Sequence, residues 1–337
     1  MVYEYCEEIQ KSGINRTMFP SSCGSYLEMG LYIQAETENT LNTIFREAGM
    51  AELKAYTEGV LTEASAKEAI KKVIDRVVDT LVKFWEGIKA AFEKIISNIK
   101  TKAKEVNKNG VLKDFKALDL GKYKGALNKV FEGKELFVGK DSVYNNIVKE
   151  IKLLNSNTGT GDIDEYIANP YGVVISKSIL TAGKVSNLAE AKAEIKKFVD
   201  SQSDKVTGDW VASHKADIIN VVEKTALAEI NKDYKEAKKA VNKGIRALRQ
   251  LEKVADPEGG SERGFDFKDF SKATISVDIA FNNCLLYVAD LRQKNYYYAL
   301  VIMFKAARAC TAKNKDQVAT ESALSLDEAF INEAFNW

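Results

Sequence analysis

The chain has 337 residues, of which 45% are hydrophobic and 29% are charged, and its formal net charge is +1. This composition is typical of a globular protein of one to three domains, and the near-zero net charge gives no global reason to expect nucleic-acid binding. Three prolines in the whole chain favour long, uninterrupted helices.

The N-terminal part, residues 1–63, is predicted to be a small helical unit with its linker. Its opening sequence, MVYEYCEEIQ, carries acids where a signal peptide has an apolar run, so we expect no secretory leader. Residues 25–48 have the apolar spacing of one or two helices, with Leu41, Ile44 and Phe45 facing inward. A glycine-containing connection then leads to the next segment.

That segment, residues 64–156, begins with the longest predicted helix, which covers 65–107. Its apolar residues recur at steps of three and four, which places them on one face of an α-helix roughly 60 Å long. Ser65 and Glu68 have the spacing of a capping box. We expect this helix to organise the chain and to be its main assembly element. Its largest interaction anchors are Phe84, Trp85, Ile88 and Phe92.

Shorter elements fill the rest of this segment. A short strand is indicated at 135–138, but an isolated strand is marginal, so no sheet topology is predicted. A run rich in Asn, Ser, Thr and Gly precedes Pro170, and it favours a domain boundary near 155–172.

Residues 157–321 are predicted to form a C-terminal helical bundle. One helix starts at Asn187, which has cap spacing to Glu190, and two long helices follow at 210–255 and 272–313. The first of these long helices carries a heptad seam, in which Gly244 is the gap. The seam consists of Leu227, Ile230, Tyr234, Ala237, Val241, Leu248 and Leu251. No run of about 18 uncharged apolar residues occurs, so no membrane span is predicted.

The last segment, residues 322–337, has the pattern of an amphipathic docking helix. Ser325 and Glu328 have capping-box spacing. A helix this short is unstable alone in water, so its order must come from packing. The surface that it covers is either the body of its own chain or a neighbouring protein. Its predicted contact residues include Phe330, Ile331 and Phe335.

Several patterns that suggest binding or chemistry fit structural roles better. Gly139–Ser142 lacks the residue spacing of a phosphate-binding loop. His214 is the only candidate imidazole base, and a lone histidine early in a polar helix more often caps or faces solvent. The basic run at 235–249 is interleaved with acids, so an ordinary solvent-exposed helix face is favoured over a nucleic-acid-binding face. Tyr296–Tyr298 spread around a helix, which favours packing over base stacking.

The cysteine and histidine content gives no metal-binding pattern. The four cysteines form no CxxC pair, and a single histidine cannot complete a Cys/His zinc set by itself. We therefore expect four reduced thiols, with a Cys6–Cys23 disulfide as a minor alternative, and no metal or cofactor.

The order of parts in the first 110 residues resembles virion proteins of large contractile-tailed bacteriophages. The matching residues are Glu47–Leu61, which read EAGMAELKAYTEGVL, and the long amphipathic segment Ile70–Ile99. The resemblance implies a structural component of the head or interior of the particle. Leu61-Thr62-Glu63 also resembles the cleavage pattern of phage head-maturation proteases, which makes cleavage after Glu63 a minor hypothesis.

From these features we expect an all-α, elongated helical bundle with a non-enzymatic structural role in a tailed-phage particle. Its partners would be copies of itself and other virion proteins, and assembly would take place in the cytoplasm of the bacterial host. The alternative is a membrane-active or pore-forming protein, because the same amphipathic helix could lie on lipid. A helical enzyme is a third interpretation, which no motif in the sequence favours.

Overall fold

The computed structural model describes residues 34–47, 63–153, 163–181, 183–254 and 267–311. Within these residues the chain is an elongated, all-α bundle, which confirms the predicted fold class. Helix α1 covers residues 34–47. The elements that follow it are α2 (Glu63–Lys108), α3 (Val111–Ala117), a 3₁₀ turn (Leu120–Tyr123), α4 (Lys124–Val130), strand β1 (Glu132–Phe137) and α5 (Ser142–Glu150).

The remaining elements include the other two long helices. They are α6 (Ile163–Ala168), α7 (Pro170–Val174), α8 (Leu188–Ser201), strand β2 (Asp204–Thr207), α9 (Gly208–Ser213), α10 (Lys215–Asn220), a π-helical turn (Val221–Thr225), α11 (Ala226–Val254) and α12 (Phe267–Thr311). Helix α8 begins as predicted, because the Asn187 side chain accepts a 3.0 Å hydrogen bond from the backbone N–H of Glu190.

Helix α12 is the element against which most of the chain packs. It contacts α2 and α11 along its length, and it also contacts the short helices α3 to α8. Residues around its whole circumference are buried, as shown by Ile275, Ala280 and Phe281, which lie on three different sides. A helix that is apolar all round belongs in a core. The packing centre is therefore α12, whereas the amphipathic α2, which we expected to organise the chain, covers one side of it.

Helices α2 and α11 lie side by side and run antiparallel. The rings of Trp85 and Phe92 both meet Tyr234, with centroids 5.6 Å and 5.7 Å away. Asp75, nearer the start of α2, pairs with Arg249, near the end of α11. The heptad seam of α11 faces inward, as Ile230, Ala237, Val241, Leu248 and Leu251 are all buried. This packing buries the apolar face of each helix against the other and against α12.

The predicted 210–255 helix is interrupted in the structure. Helix α9 ends at Ser213, whose hydroxyl donates to the carbonyl oxygens of Asp209 and Trp210 in the last turn. The π-helical turn before α11 inserts extra backbone, and Thr225 reaches back to the carbonyl oxygen of Asn220. A π-turn shifts the register of the residues that follow it, so the continuous helix begins only at Ala226.

Strands β1 and β2 form one antiparallel pair, in which Glu132 lies opposite Thr207 and Phe137 opposite Asp204. This pair is the only sheet in the described part of the chain. The predicted strand at 135–138 is thus present, with an earlier start and with a partner that the sequence did not indicate. Phe137 contacts the rings of Trp210 and Tyr298, so β1 is held against both α9 and α12.

Residues on both sides of the predicted domain boundary contribute to one continuous apolar core. The predicted limit between 156 and 157 falls in a stretch outside the described residues, and so does the limit between 321 and 322. Among the described helices, none has the length and apolar content that crossing a bilayer requires.

Candidate functional site

The predicted anchors of α2 lie inside the bundle. Phe84, Ile88 and Phe92 are at most 1% exposed, and Trp85 is 9% exposed. Their neighbours are the chain's own helices, with Tyr234 of α11 between Trp85 and Phe92. A role for these residues in contacts with another chain stays a prediction. Phe330, Ile331 and Phe335 lie outside the described residues. So do Leu61 and Thr62 of the hypothetical cleavage pattern, whereas Glu63 begins α2.

A buried ionic cluster lies where α5, α11 and α12 meet. Arg292 of α12 is 1% exposed, and its Nε donates a 3.0 Å hydrogen bond to Asp233 of α11. Its Nη2 donates a 2.9 Å hydrogen bond to the side-chain oxygen of Asn145 on α5. The guanidinium also lies over the ring of Tyr144, 5.3 Å from its centroid. We call these four residues the Arg292 cluster.

Asp141, at the start of α5, lies in the field of the Arg292 cluster without joining it by a hydrogen bond. Its Oδ2 and the Nη1 of Arg292 are both buried polar atoms without a partner in the structure. Burial raises the pKa of Asp141 to about 6, against the opposing pull of Arg292. Burial likewise raises the pKa of Asp233 to about 6, even though its carboxylate faces the guanidinium. Two carboxyl groups therefore titrate just below neutral pH beside one fixed cation.

The Arg292 cluster aligns three helices. A guanidinium donates in a planar fork, so its partners on α11 and α5 must lie at fixed positions around α12. A shift of α5 or α11 along α12 would separate Arg292 from its partners. The buried charge would then be uncompensated, which costs several kcal/mol. The cluster thus fixes one arrangement of the bundle, and Asp233 together with the neighbouring Asp141 makes that arrangement sensitive to pH.

A second buried carboxyl group lies nearer the start of α12. Asp278 is 2% exposed, and its Oδ2 has no hydrogen-bond partner. It occupies the gap in the heptad seam, because a Cβ atom added at Gly244 would lie 1.7 Å from this oxygen. Burial raises the pKa of Asp278 well above its usual range. The glycine that interrupts the seam therefore makes room for an acid of the neighbouring helix.

The other residues singled out in the sequence have structural surroundings. His214 stacks on Trp210, with centroids 4.4 Å apart, and its Nδ1 lies 3.0 Å from Ser213 Oγ. Tyr296 is buried, and Tyr298 donates a 2.6 Å hydrogen bond to Glu135 of β1. In the described part of the chain, no group of three or more His, Cys, Asp and Glu residues is arranged to hold a metal ion.

Sequence patterns did not identify the Arg292 cluster. Its members come from three helices far apart in the chain, and the local sequence around each one does not indicate its partners. One signal was present, since Asp278, Asp290 and Arg292 lie in a segment whose apolar residues fall on all sides of the helix. Charged residues at such positions need buried partners. Comparison of the chain with known protein families, curated proteins and solved structures finds no match.

Proposed function

We propose that this chain is a structural component of a tailed-phage particle and acts through helix packing with copies of itself or with other virion proteins. The observation that carries the proposal is the lengthwise packing of three long helices, of 46, 29 and 45 residues, into one body. Helices of this length give a stiff element that spans a distance, which suits a part in an assembly. The resemblance of Ile70–Ile99 to phage virion proteins supports the same role.

The interior of the helical bundle supports a role as a rigid structural element. The Arg292 cluster ties α5, α11 and α12 together, and the heptad seam of α11 interlocks with α2 through Tyr234. Bundles held by both apolar and directional contacts keep one register, so their exposed faces stay in fixed relative positions. A virion component needs this property because its neighbours contact several faces at once.

The membrane-active alternative would require a different arrangement of α2. Its apolar face is covered by α11 and α12, with Ile74, Val77 and Ile95 at 0% exposure. To lie on lipid, α2 would have to leave the bundle and expose this face. Flotation with lipid vesicles tests that alternative. It predicts that the folded protein floats together with the vesicles and that hydrogen exchange of the backbone amides of α2 changes on binding.

The test of the proposed function is genetic. Disrupting the reading frame in the phage genome that carries it, with the protein supplied from a plasmid as control, should leave genome replication intact and stop particle assembly. The plasmid copy should restore particles. Normal particle yield without the protein would contradict the proposal, and so would loss of replication with assembly proteins produced at normal levels.

A further inference from the structure

The outer face of α11 is rich in cations, with the exposed Asn242 between Lys239 and Arg246. The helix has eight Lys and Arg residues but four Asp and Glu residues, in a chain whose totals are 49 and 48. At 100° per residue, the cations gather within one face, and the acids fall on its flanks or on the buried side. We call this face the cationic stripe. It consists of Lys232, Lys235, Lys238, Lys239, Arg246 and Arg249.

The cationic stripe lies at the surface, and three of its six cations form no ion pair among the described residues. Lys232, Lys239 and Arg249 pair with acids on the flanks or on α2. In the described part of the chain, Lys235, Lys238 and Arg246 have no acidic partner, and all three are exposed. Exposed ion pairs contribute about 0–1 kcal/mol, so a stronger anion can displace the carboxylates of the paired cations.

The geometry of the stripe fits a linear polyanion. From Lys232 to Arg249 the helix advances about 25 Å, and the side chains point to one side over that length. Duplex DNA presents one phosphate charge per about 1.7 Å of its axis, so about fifteen phosphate charges lie along the same distance. Asp233 lies on the buried side of α11 and is paired with Arg292. Its carboxylate therefore does not repel an anion at the outer face.

The stripe fits a lipid surface less well. Membrane-binding helices combine a basic face with exposed large apolar residues that enter the interface. The apolar face of α11 is buried by α2 and α12, as shown by Ile230 and Leu248 at 0% exposure. The described large hydrophobic residues that are exposed are Val82, Val130 and Leu136, and none belongs to α11.

We propose that the outer face of α11 binds the phosphate backbone of nucleic acid, without reading base sequence. The six cations on this face contact phosphates, which are the same at every base pair, so these contacts carry no sequence information. This inference does not depend on the proposed virion role, since a phosphate-binding face would operate in any particle or cell that holds nucleic acid.

The test measures binding of the full chain to two fluorescein-labelled DNA duplexes of unrelated sequence by fluorescence anisotropy. We expect equal affinity for the two duplexes. Three to six phosphate contacts predict that affinity falls by between about 40-fold and about 2,000-fold when NaCl rises from 50 to 200 mM. No binding at 50 mM NaCl would overturn the proposal, as would a clear preference for one sequence.

Two charge-matched variants locate the binding face. The variant with Lys235→Gln, Lys238→Gln and Arg246→Gln should reduce the slope of log K against log salt by about 2.7, because three phosphate contacts are lost. These side chains are exposed and unpaired, so circular dichroism and thermal melting of the variant should match the wild type.

The control variant removes the same charge from three exposed lysines outside the long helices, namely Lys129, Lys177 and Lys205. It should bind within about twofold of the wild type, because general charge attraction is a weaker effect than a direct phosphate contact. Equal loss in the two variants would overturn the proposal. Stripe-dependent binding to anionic lipid vesicles without binding to either duplex would overturn it as well.

Discussion

The contact between Gly244 and Asp278 gives a sharp test of how α11 packs on α12. In Gly244→Ala, the new methyl group would lie 1.7 Å from Asp278 Oδ2 and 2.8 Å from its Cγ. Both atoms belong to a buried side chain, so the carboxyl group must rotate within a packed core or one of the two helices must shift. Overpacking of this kind costs about 3 kcal/mol, and the higher helix propensity of alanine returns about 1 kcal/mol. We expect Gly244→Ala to lower the free energy of unfolding by about 2 kcal/mol.

The second substitution, Asp278→Ala, removes the atoms with which the methyl group clashes. Alone it should change the free energy of unfolding by less than about 1 kcal/mol, because removing a buried carboxyl oxygen that has no hydrogen-bond partner offsets the small cavity left behind. In the double variant the methyl group of Ala at 244 occupies that cavity, although Leu81 Cδ2 at 3.3 Å must yield slightly. The double variant should therefore be at least as stable as the wild type.

Urea unfolding, followed by circular dichroism at 222 nm, measures all three variants. The coupling energy between the two positions should be about 2 kcal/mol, with the sign of a rescue. Gly125→Ala is the matched control, because a Cβ atom there meets nothing within 4 Å, and it should not destabilise the protein. Additive losses in the double variant, or a Gly244→Ala protein as stable as the wild type, would refute the packing.

Three further predictions follow from the core and the ionic cluster. Trp85→Ala should cost about 3–5 kcal/mol in urea unfolding, whereas Val82→Ala, at a position 41% exposed, should change stability by less than about 0.5 kcal/mol; equal effects would contradict the burial of α2. Because the pKa of Asp141 is raised to about 6 in the folded state, from about 3.9 unfolded, its stabilising contribution is complete below about pH 4 and is lost as pH rises through 6. Asp141→Asn should therefore weaken the fall in melting temperature between pH 4 and pH 7, and an unchanged pH dependence would contradict the assignment. Arg292→Met should destabilise the protein by about 3–5 kcal/mol because Asp233 loses its buried partner, and adding Asp233→Leu should restore most of that loss; a double variant as unstable as Arg292→Met would show that the pair does not act as a unit.

The parts of the fold that the sequence predicted well depend on local periodicity. The 65–107 helix corresponds to Glu63–Lys108 in the structure, because a stripe repeated over many turns and a stop signal are both local features. The cap at Asn187 was also predictable, since the donor and the acceptor are three residues apart. The inward positions of the α11 seam followed from the heptad spacing in the same way.

The parts that it did not predict depend on contacts between distant residues. Strand β1 pairs with β2, whose short sequence has no strand signal of its own, and only the neighbouring α9 and α12 place the two together. In the sequence Gly244 is only a gap in the heptad seam, whereas in the structure Asp278 of α12 fills that gap. Arg292, Asp233 and Asn145 converge from three helices, and nothing in the sequence around any one of them specifies the other two.

We propose that the chain is built into a phage particle, and quantitative mass spectrometry of purified particles tests this proposal most directly. Particles of the phage whose genome encodes the chain would be separated from free protein on a density gradient and washed at high salt. We expect peptides of the protein in the particle band, at a constant ratio to the major capsid protein across preparations. Peptides found only in the soluble fraction of infected cells, with none in the particle band, would contradict it.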